Sequence, residues 1–318
     1  MKGLIIAPAF HDYNDGIVRC FVRNNIQAKL IEYYDGSSVG IFRLIKTFFR
    51  QGLAFFSPRK IKLPSEKYDF ILVIKGNGFS ENFFAEASTK TDKLILWFYD
   101  PLDRFPEVQI SFRYFHRIFF FQHSDYDRFR ADKRFKYMPL YHTFTRKERE
   151  VAYNRSIDFL FIGALTNERI RIIEELLRLM DGYKLVVYGG FGPLKIFSYL
   201  KLIYTKPRLR GIVRFGLVGN RKLKQLYLNS KNGLNIFQEG QSGLNMRFFE
   251  MYGAGMKQII WANDLDINRI DSDKSAYRIV GSIADLDNLQ EWLLSETSIR
   301  AMDSEMSLDI RLLSMIGD

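Results

Sequence analysis

The residues of this chain best suited to chemistry lie in the stretch 238–255, QEGQSGLNMRFFEMYGAG. A strand-like run, 232–237, precedes it and another, 258–262, follows, so the order reads strand, Gly-rich loop, short helix, strand. A loop with two glycines lets backbone N–H groups approach an anion, and the start of a helix adds partial positive charge there. Ser242 and Gly243 suit the start of that helix, Gly253 and Gly255 its end. Arg247 falls near the first turn, where a cation is unfavourable to the helix unless an anion sits opposite. Glu250, three residues on, shares its face. It lies ~5 Å further along the axis, about the offset between a diphosphate and the ribose that carries it. Arg247 on phosphate and Glu250 on ribose hydroxyls is one reading. An ordinary buried helix with a salt bridge between the two is the other.

A second set of candidates sits at predicted strand ends. His11 follows the strand 2–10, Asn77 the strand 68–75, Asp100 the strand 93–99, and His123 and Asp125 the strand 117–122. Ligands of open α/β sheets bind beyond the carboxyl ends of the strands, so these residues are candidates for a general base or for acceptor contacts. Asp264 and Asp266 form a D-x-D, a pair able to hold a metal through hard oxygens. The stretch 264–273 reads as an acidic loop instead, and no zinc-type His/Cys spacing or Walker run is present. No metal is expected.

These residues need a frame, and the chain supplies a repeated strand–helix pattern. Strand 2–10, helix 17–25 and strand 27–34 make a βαβ opening, typical of a parallel sheet, without a G-x-G-x-x-G after the first strand. A strand at 135–140 ends the first series, and the charged stretch 143–155 reads as a linker. A second series follows: strands at 157–163, 184–188, 210–215 and 277–280, and helices at 221–230, 285–295 and 299–316. Two α/β domains are expected, 1–150 and 151–318.

Length and composition agree. The 318 residues are 47% hydrophobic and 15% aromatic, enough for two cores. The single cysteine, Cys20, excludes a disulfide framework. It is expected on a buried face of the first helix. No apolar run approaches ~20 residues, so no transmembrane helix is expected and the cytoplasm is the expected compartment. The net charge is +11, and no acidic residue occurs between Asp181 and Glu239, a window with Lys and Arg at eleven positions. A field of one sign invites a nucleotide diphosphate, a phospholipid surface or a nucleic acid. A helix expected at 41–56 carries Arg43, Lys46 and Arg50 as a basic stripe among Phe and Leu, suited to an anionic membrane or, with its aromatics inward, to a core.

The runs 159–163, 186–189, 226–236 and 243–255, in that order, resemble the C-terminal domain of GT-B glycosyltransferases. The last is similar to the N-x-R-x-x-E-x-x-x-x-G run of spore-maturation-type and capsular-polysaccharide enzymes. The resemblance covers about residues 155–295. It implies an α/β GT-B fold, two Rossmann-like domains with parallel sheets facing across a cleft. The N-terminal domain would hold the acceptor and the C-terminal domain the nucleotide-sugar donor. Glu250 would take the ribose, Asn245, Arg247 and the backbone of Ser242, Gly243 and Leu244 the diphosphate, and Arg169, near Gly163, a second phosphate contact. Val218 and Gly219 would border the base.

The implied activity is metal-independent, hexosyltransferase-type transfer from a nucleotide-diphosphate sugar to a glycan or lipid-linked acceptor in surface polysaccharide biosynthesis. It needs no cofactor and would run at the inner face of the membrane. Where many retaining members carry E-x7-E, this chain has Ser242. The alternative is a basic nucleic-acid- or nucleotide-binding protein without transferase activity. No recognised nucleic-acid-binding motif is present, so nucleic acid is not the expected partner.

Overall fold

The computed structural model describes residues 1–9, 13–33, 61–150, 155–179, 182–191, 195–216, 218–237, 243–262, 274–286, 288–294 and 306–317. His11, Ser242, the expected helix 41–56 with its basic stripe, and Asp264 and Asp266 lie outside them. The chain divides into two units. The first comprises 1–141, 242–244 and 306–318, the second 142–241 and 245–305. The division therefore falls after Tyr141 rather than after residue 150, and the C-terminal helix belongs to the first unit.

In the first unit six parallel strands run in the order β2-β1-β3-β4-β5-β6. They are β1 (Lys2–Pro8), β2 (Gln27–Tyr33), β3 (Phe70–Ile74), β4 (Leu94–Trp97), β5 (Arg117–Phe120) and β6 (Phe135–Tyr137). Strands β3 and β4 are buried along their whole length, as parallel strands covered on both faces must be. Helix α1 (Tyr13–Arg23) turns Ile17, Cys20 and Phe21 inward, and α2 (Glu81–Ser88) starts at Ser80, whose side chain accepts the Phe83 N–H. The helix at 81–88 has no counterpart among the elements expected from sequence.

The core is aromatic: Phe98 stacks on Phe120, and Phe120 on Phe135. Burying each such ring contributes about 1.5–3 kcal/mol. The C-terminal helix Leu308–Gly317 joins this unit through the Arg23–Asp309 ion pair and through Lys93 Nζ, which donates to the Ile316 carbonyl. Cys20 is buried as expected, and burial together with Asp309 pushes its thiol up to about 12.

The second unit holds strands in the order β12-β11-β10-β7-β8-β9, again all parallel. They are β7 (Ile157–Ile162), β8 (Leu185–Tyr188), β9 (Val213–Arg214), β10 (Ser230–Ile236), β11 (Lys257–Trp261) and β12 (Tyr277–Val280). The expected linker forms a short helix, α3 being His123–Phe129 and α4 Arg146–Glu150. Then come α5 (Asn167–Leu179), α6 (Ile196–Thr205), α7 (Asn220–Leu228) and α8 (Met246–Gly253).

Helix α8 packs tightly on β10, because a Cβ at Gly233 would overlap the Met251 thioether. It ends in a Schellman motif: Gly255, at φ +68°, donates to Tyr252, and Met256 donates to Met251. Gly253, expected to serve the helix end, has another task, since a Cβ there would overlap the His142 ring. Among the described residues no helix is long and apolar enough to cross a membrane.

Candidate functional site

Order in the second sheet reverses at β7: the chain goes first to β8 on one side and later to β10 on the other. The carboxyl ends of β7 and β10 therefore bound a switch point, the usual ligand site of an open α/β sheet. Two helices begin there. Thr166 caps α5 by accepting the Arg169 N–H, which puts Arg169 in the first turn. Asn245 caps α8, its Oδ1 accepting the Phe248 N–H at 2.9 Å, which puts Arg247 in that first turn. The helix start is thus Asn245 rather than Ser242 or Gly243. A side-chain oxygen in a cap satisfies a donor that the helix itself leaves open.

Arg169 is fixed across the gap between the strands. Its Nη1 donates to the Ala164 carbonyl beyond β7 at 3.0 Å, and its Nη2 to Ile236 at the end of β10 at 2.7 Å. Gly163 lies beside it, and a Cβ there would meet the Arg169 guanidinium and the Phe161 ring. Burial holds Arg169 below the ordinary guanidinium range; Glu168 acts against this, and the charge of Arg247 adds to it. So the two guanidiniums feel each other, each at a helix start where a cation is unfavourable.

Arg247 Nη1 reaches Glu250 Oε2 at 3.0 Å and the Tyr227 hydroxyl at 3.0 Å, and that hydroxyl donates to Glu250 Oε2 at 2.7 Å. Glu250 is only 7% exposed. The expected salt bridge between the two is present, and the carboxylate is first of all the partner of Arg247 and Tyr227. Burial raises the Tyr227 phenol well above its ordinary range, so it donates its proton and does not lose it. Asn235 and Asn245 exchange amide hydrogen bonds at 2.9 and 3.2 Å, fixing the cap to β10. On β11, Gln258 Nε2 donates to the Phe248 carbonyl at 2.9 Å.

Neither Tyr227 nor Asn235 stands out in the sequence, where each is a polar group between apolar neighbours, Leu226 and Leu228 for the one and Leu234 and Ile236 for the other. Val218 packs partly on the core behind β7, and Gly219 is the exposed residue before α7. Gly243 and Leu244 fall in the first unit.

The described strand-end candidates of the first unit are each tied to partners of their own. Asp125 Oδ2 accepts both the Leu102 N–H and Gln122 Nε2 at 2.9 Å, and the residue is 2% exposed. It pins the loop after β4 to α3, so its geometry is that of an anchor, not a base. Burial raises its pKa. Asp100 pairs with Lys75 Nζ at 2.6 Å and with Arg104 at 3.1 Å. Lys75, unremarked in the sequence, has φ +63°, rare for a residue with a side chain. Asn77 is buried near the Tyr33 hydroxyl. His123 stacks on Tyr137 with ring centroids 3.7 Å apart. Among the described residues no group of three or more His, Cys, Asp or Glu could hold a metal ion.

No family model and no curated protein sequence matches the chain. Solved structures do. The UDP-GlcNAc 2-epimerase of Methanocaldococcus jannaschii aligns over 100% of this chain and 99% of its own, at 14% identity and a TM-score of 0.59. AviGT4, a glycosyltransferase of avilamycin A biosynthesis, aligns over 100% and 97%, at 11% and 0.58. Anabaena HepE, solved with UDP and glucose, aligns over 100% and 98%, at 10% and 0.58. Identities this low carry the fold alone. With two parallel six-stranded sheets and interleaved helices, the chain has the GT-B fold of two Rossmann-like domains.

Proposed function

We propose that this protein is a metal-independent glycosyltransferase. It moves a sugar from a nucleotide-diphosphate donor to a glycan or lipid-linked acceptor in surface polysaccharide biosynthesis. The observation that carries the reading is the pair Arg169 and Arg247, two guanidiniums at two helix starts, at the switch point of the second sheet. A diphosphate relieves their mutual repulsion and accepts from N–H groups the helices leave open. Glu250 and Tyr227 orient Arg247, and the Glu250 carboxylate takes a ribose hydroxyl once Arg247 turns to phosphate. Asn245, by capping α8, sets the pitch of the helix start that faces the diphosphate. Gly163 keeps the approach to Arg169 clear, and Val218 and Gly219 border the base. HepE binds UDP on the same fold, which makes UDP the first nucleotide to test.

In the reaction the bond from the anomeric carbon to the diphosphate oxygen breaks, and one to the acceptor oxygen forms. The arginines stabilise the departing diphosphate. The first domain holds the acceptor. With Asp125 and Asp100 committed to the partners above, the acceptor proton goes to His123, to His11 or to the departing phosphate. The enzyme works at the inner face of the membrane and needs no cofactor.

A thermal-shift panel of UDP-, GDP- and dTDP-sugars tests the reading, since a ligand that binds only the folded state raises the melting point. One nucleotide series should shift the protein, and its diphosphate should be released when acceptor lipid or glycan is added. No shift in any series, or binding of a generic oligonucleotide instead, would reject it. The fold shared with the UDP-GlcNAc 2-epimerase favours a second reading, epimerisation of the donor sugar, which would show as an altered nucleotide sugar without acceptor.

A further inference from the structure

Helix α6 presents its apolar side outward. Leu202 faces the core, and Tyr199 packs between the rings of Phe191 and Phe215. On the opposite side Phe197, Leu200 and Tyr204, at i, i+3 and i+7, are 80%, 48% and 81% exposed. Ile196 and Phe215 are exposed as well, so half of the large exposed hydrophobic residues among those described fall within twenty positions of the chain. Scattered exposed apolar residues are ordinary; a row of them on one helix face is not.

The charge around this face has one sign. Lys195 precedes α6, Lys201 lies on the exposed face, and Arg208 and Arg210 follow the helix directly, all exposed. Arg214, on the edge strand β9, is exposed too. The window 182–238 that contains them has eleven Lys and Arg and no acid, which equals the net charge of the whole chain; the remaining residues balance. Lys206 pairs with Glu174, and Lys231 with Asp158, acids that lie outside the window.

We propose that α6 and β9 dock this chain on an anionic phospholipid surface. Phe197, Leu200 and Tyr204 enter the boundary between headgroups and acyl chains, where aromatic and aliphatic side chains gain most. Lys195, Lys201, Arg208, Arg210 and Arg214 meet the lipid phosphates. A nucleic acid fits the charge and could stack on Phe197 and Tyr204, but it would leave the aliphatic Ile196 and Leu200 of the same face uncovered, whereas a lipid boundary covers all four. A second copy of the chain would set like charges against each other. The proposal is independent of the nucleotide site.

Flotation with phosphatidylcholine vesicles, with and without phosphatidylglycerol, tests it. The protein should float only with phosphatidylglycerol vesicles, less so as salt rises. The triple variant Phe197→Ser, Leu200→Ser, Tyr204→Ser and the double variant Arg208→Glu, Arg210→Glu should each bind at least about tenfold more weakly. Since all five side chains are exposed, both variants should keep the wild-type circular dichroism and melting point. Failure of the wild type to float, equal flotation with neutral vesicles, or wild-type flotation by either variant would overturn the proposal. So would tighter binding of an oligonucleotide than of vesicles, or self-association of the wild type that the triple variant abolishes.

Discussion

Both sheets are parallel and six-stranded, but their strand orders differ, 2-1-3-4-5-6 in the first and, counted from β7, 3-2-1-4-5-6 in the second, and so does what stands at their switch points. In the first sheet the reversal lies between β1 and β3, and the polar groups beyond β3 are closed on themselves. Tyr33 donates to the Ile74 carbonyl, Gly76 N–H donates to Tyr33, and Lys75 is neutralised by Asp100. In the second sheet the reversal lies between β7 and β10, and what stands there is Arg169 and Arg247, each in the first turn of a helix. The first holds a cation, Lys75, against a carboxylate, Asp100; the second brings two guanidiniums near each other with a carboxylate, Glu250, paired to Arg247, while Arg169 is held by the carbonyls of Ala164 and Ile236. In the function proposed above, the second domain carries the diphosphate and the first does not, and the side chains at the two switch points are what the variants below compare.

The largest effect that would break this contrast is on nucleotide affinity. Arg247→Gln should weaken binding of the best nucleoside diphosphate by about a hundredfold, the worth of a charge-assisted contact, while Lys75→Met should leave it unchanged. Competition titration of both variants checks this. A smaller loss, about tenfold, is expected for Glu250→Gln, because the amide still accepts from Tyr227 but no longer balances Arg247. Its unfolding free energy should fall by about 1 kcal/mol in urea.

Asp125 sharpens the contrast from the other side. Asp125→Ala leaves the buried Leu102 N–H and the Gln122 amide without their acceptor, and should cost about 1–3 kcal/mol of stability. Asp125→Asn keeps one oxygen for both donors, so turnover and stability should stay near wild type, which a catalytic base would not allow. The smallest effect is in pH. Burial raises the Asp125 pKa, so the fold favours the protonated acid. That contribution is complete below the ordinary aspartate range and is lost as pH rises through the raised value. Urea unfolding across that window should show Asp125→Asn gaining on wild type as pH increases.

Much of the fold was legible. Continuous apolar runs such as 159–162 and 70–74 announce a parallel sheet, and Gly255 announces the end of α8, because these depend on local pattern and on one backbone conformation. Helix α6 was not, since a helix with Phe197 and Tyr204 outward lacks the inward apolar stripe by which helices are recognised. At the site, Arg247 and Glu250 were legible from spacing, but their mutual pairing through Tyr227 depends on α7 lying beside α8, a contact between residues twenty positions apart. Gly253 shows the same limit: its position suits a helix end, while its task is set by His142, far away in the chain.

Hydrogen–deuterium exchange, with and without the nucleoside diphosphate that gives the largest thermal shift, tests the central claim most directly. Bound nucleotide should slow exchange in 163–169 and 245–250 and leave 74–77 and 98–104 unchanged. Protection confined to the first unit, or none at 245–250 under saturating nucleotide, would contradict the assignment of the diphosphate to the second sheet.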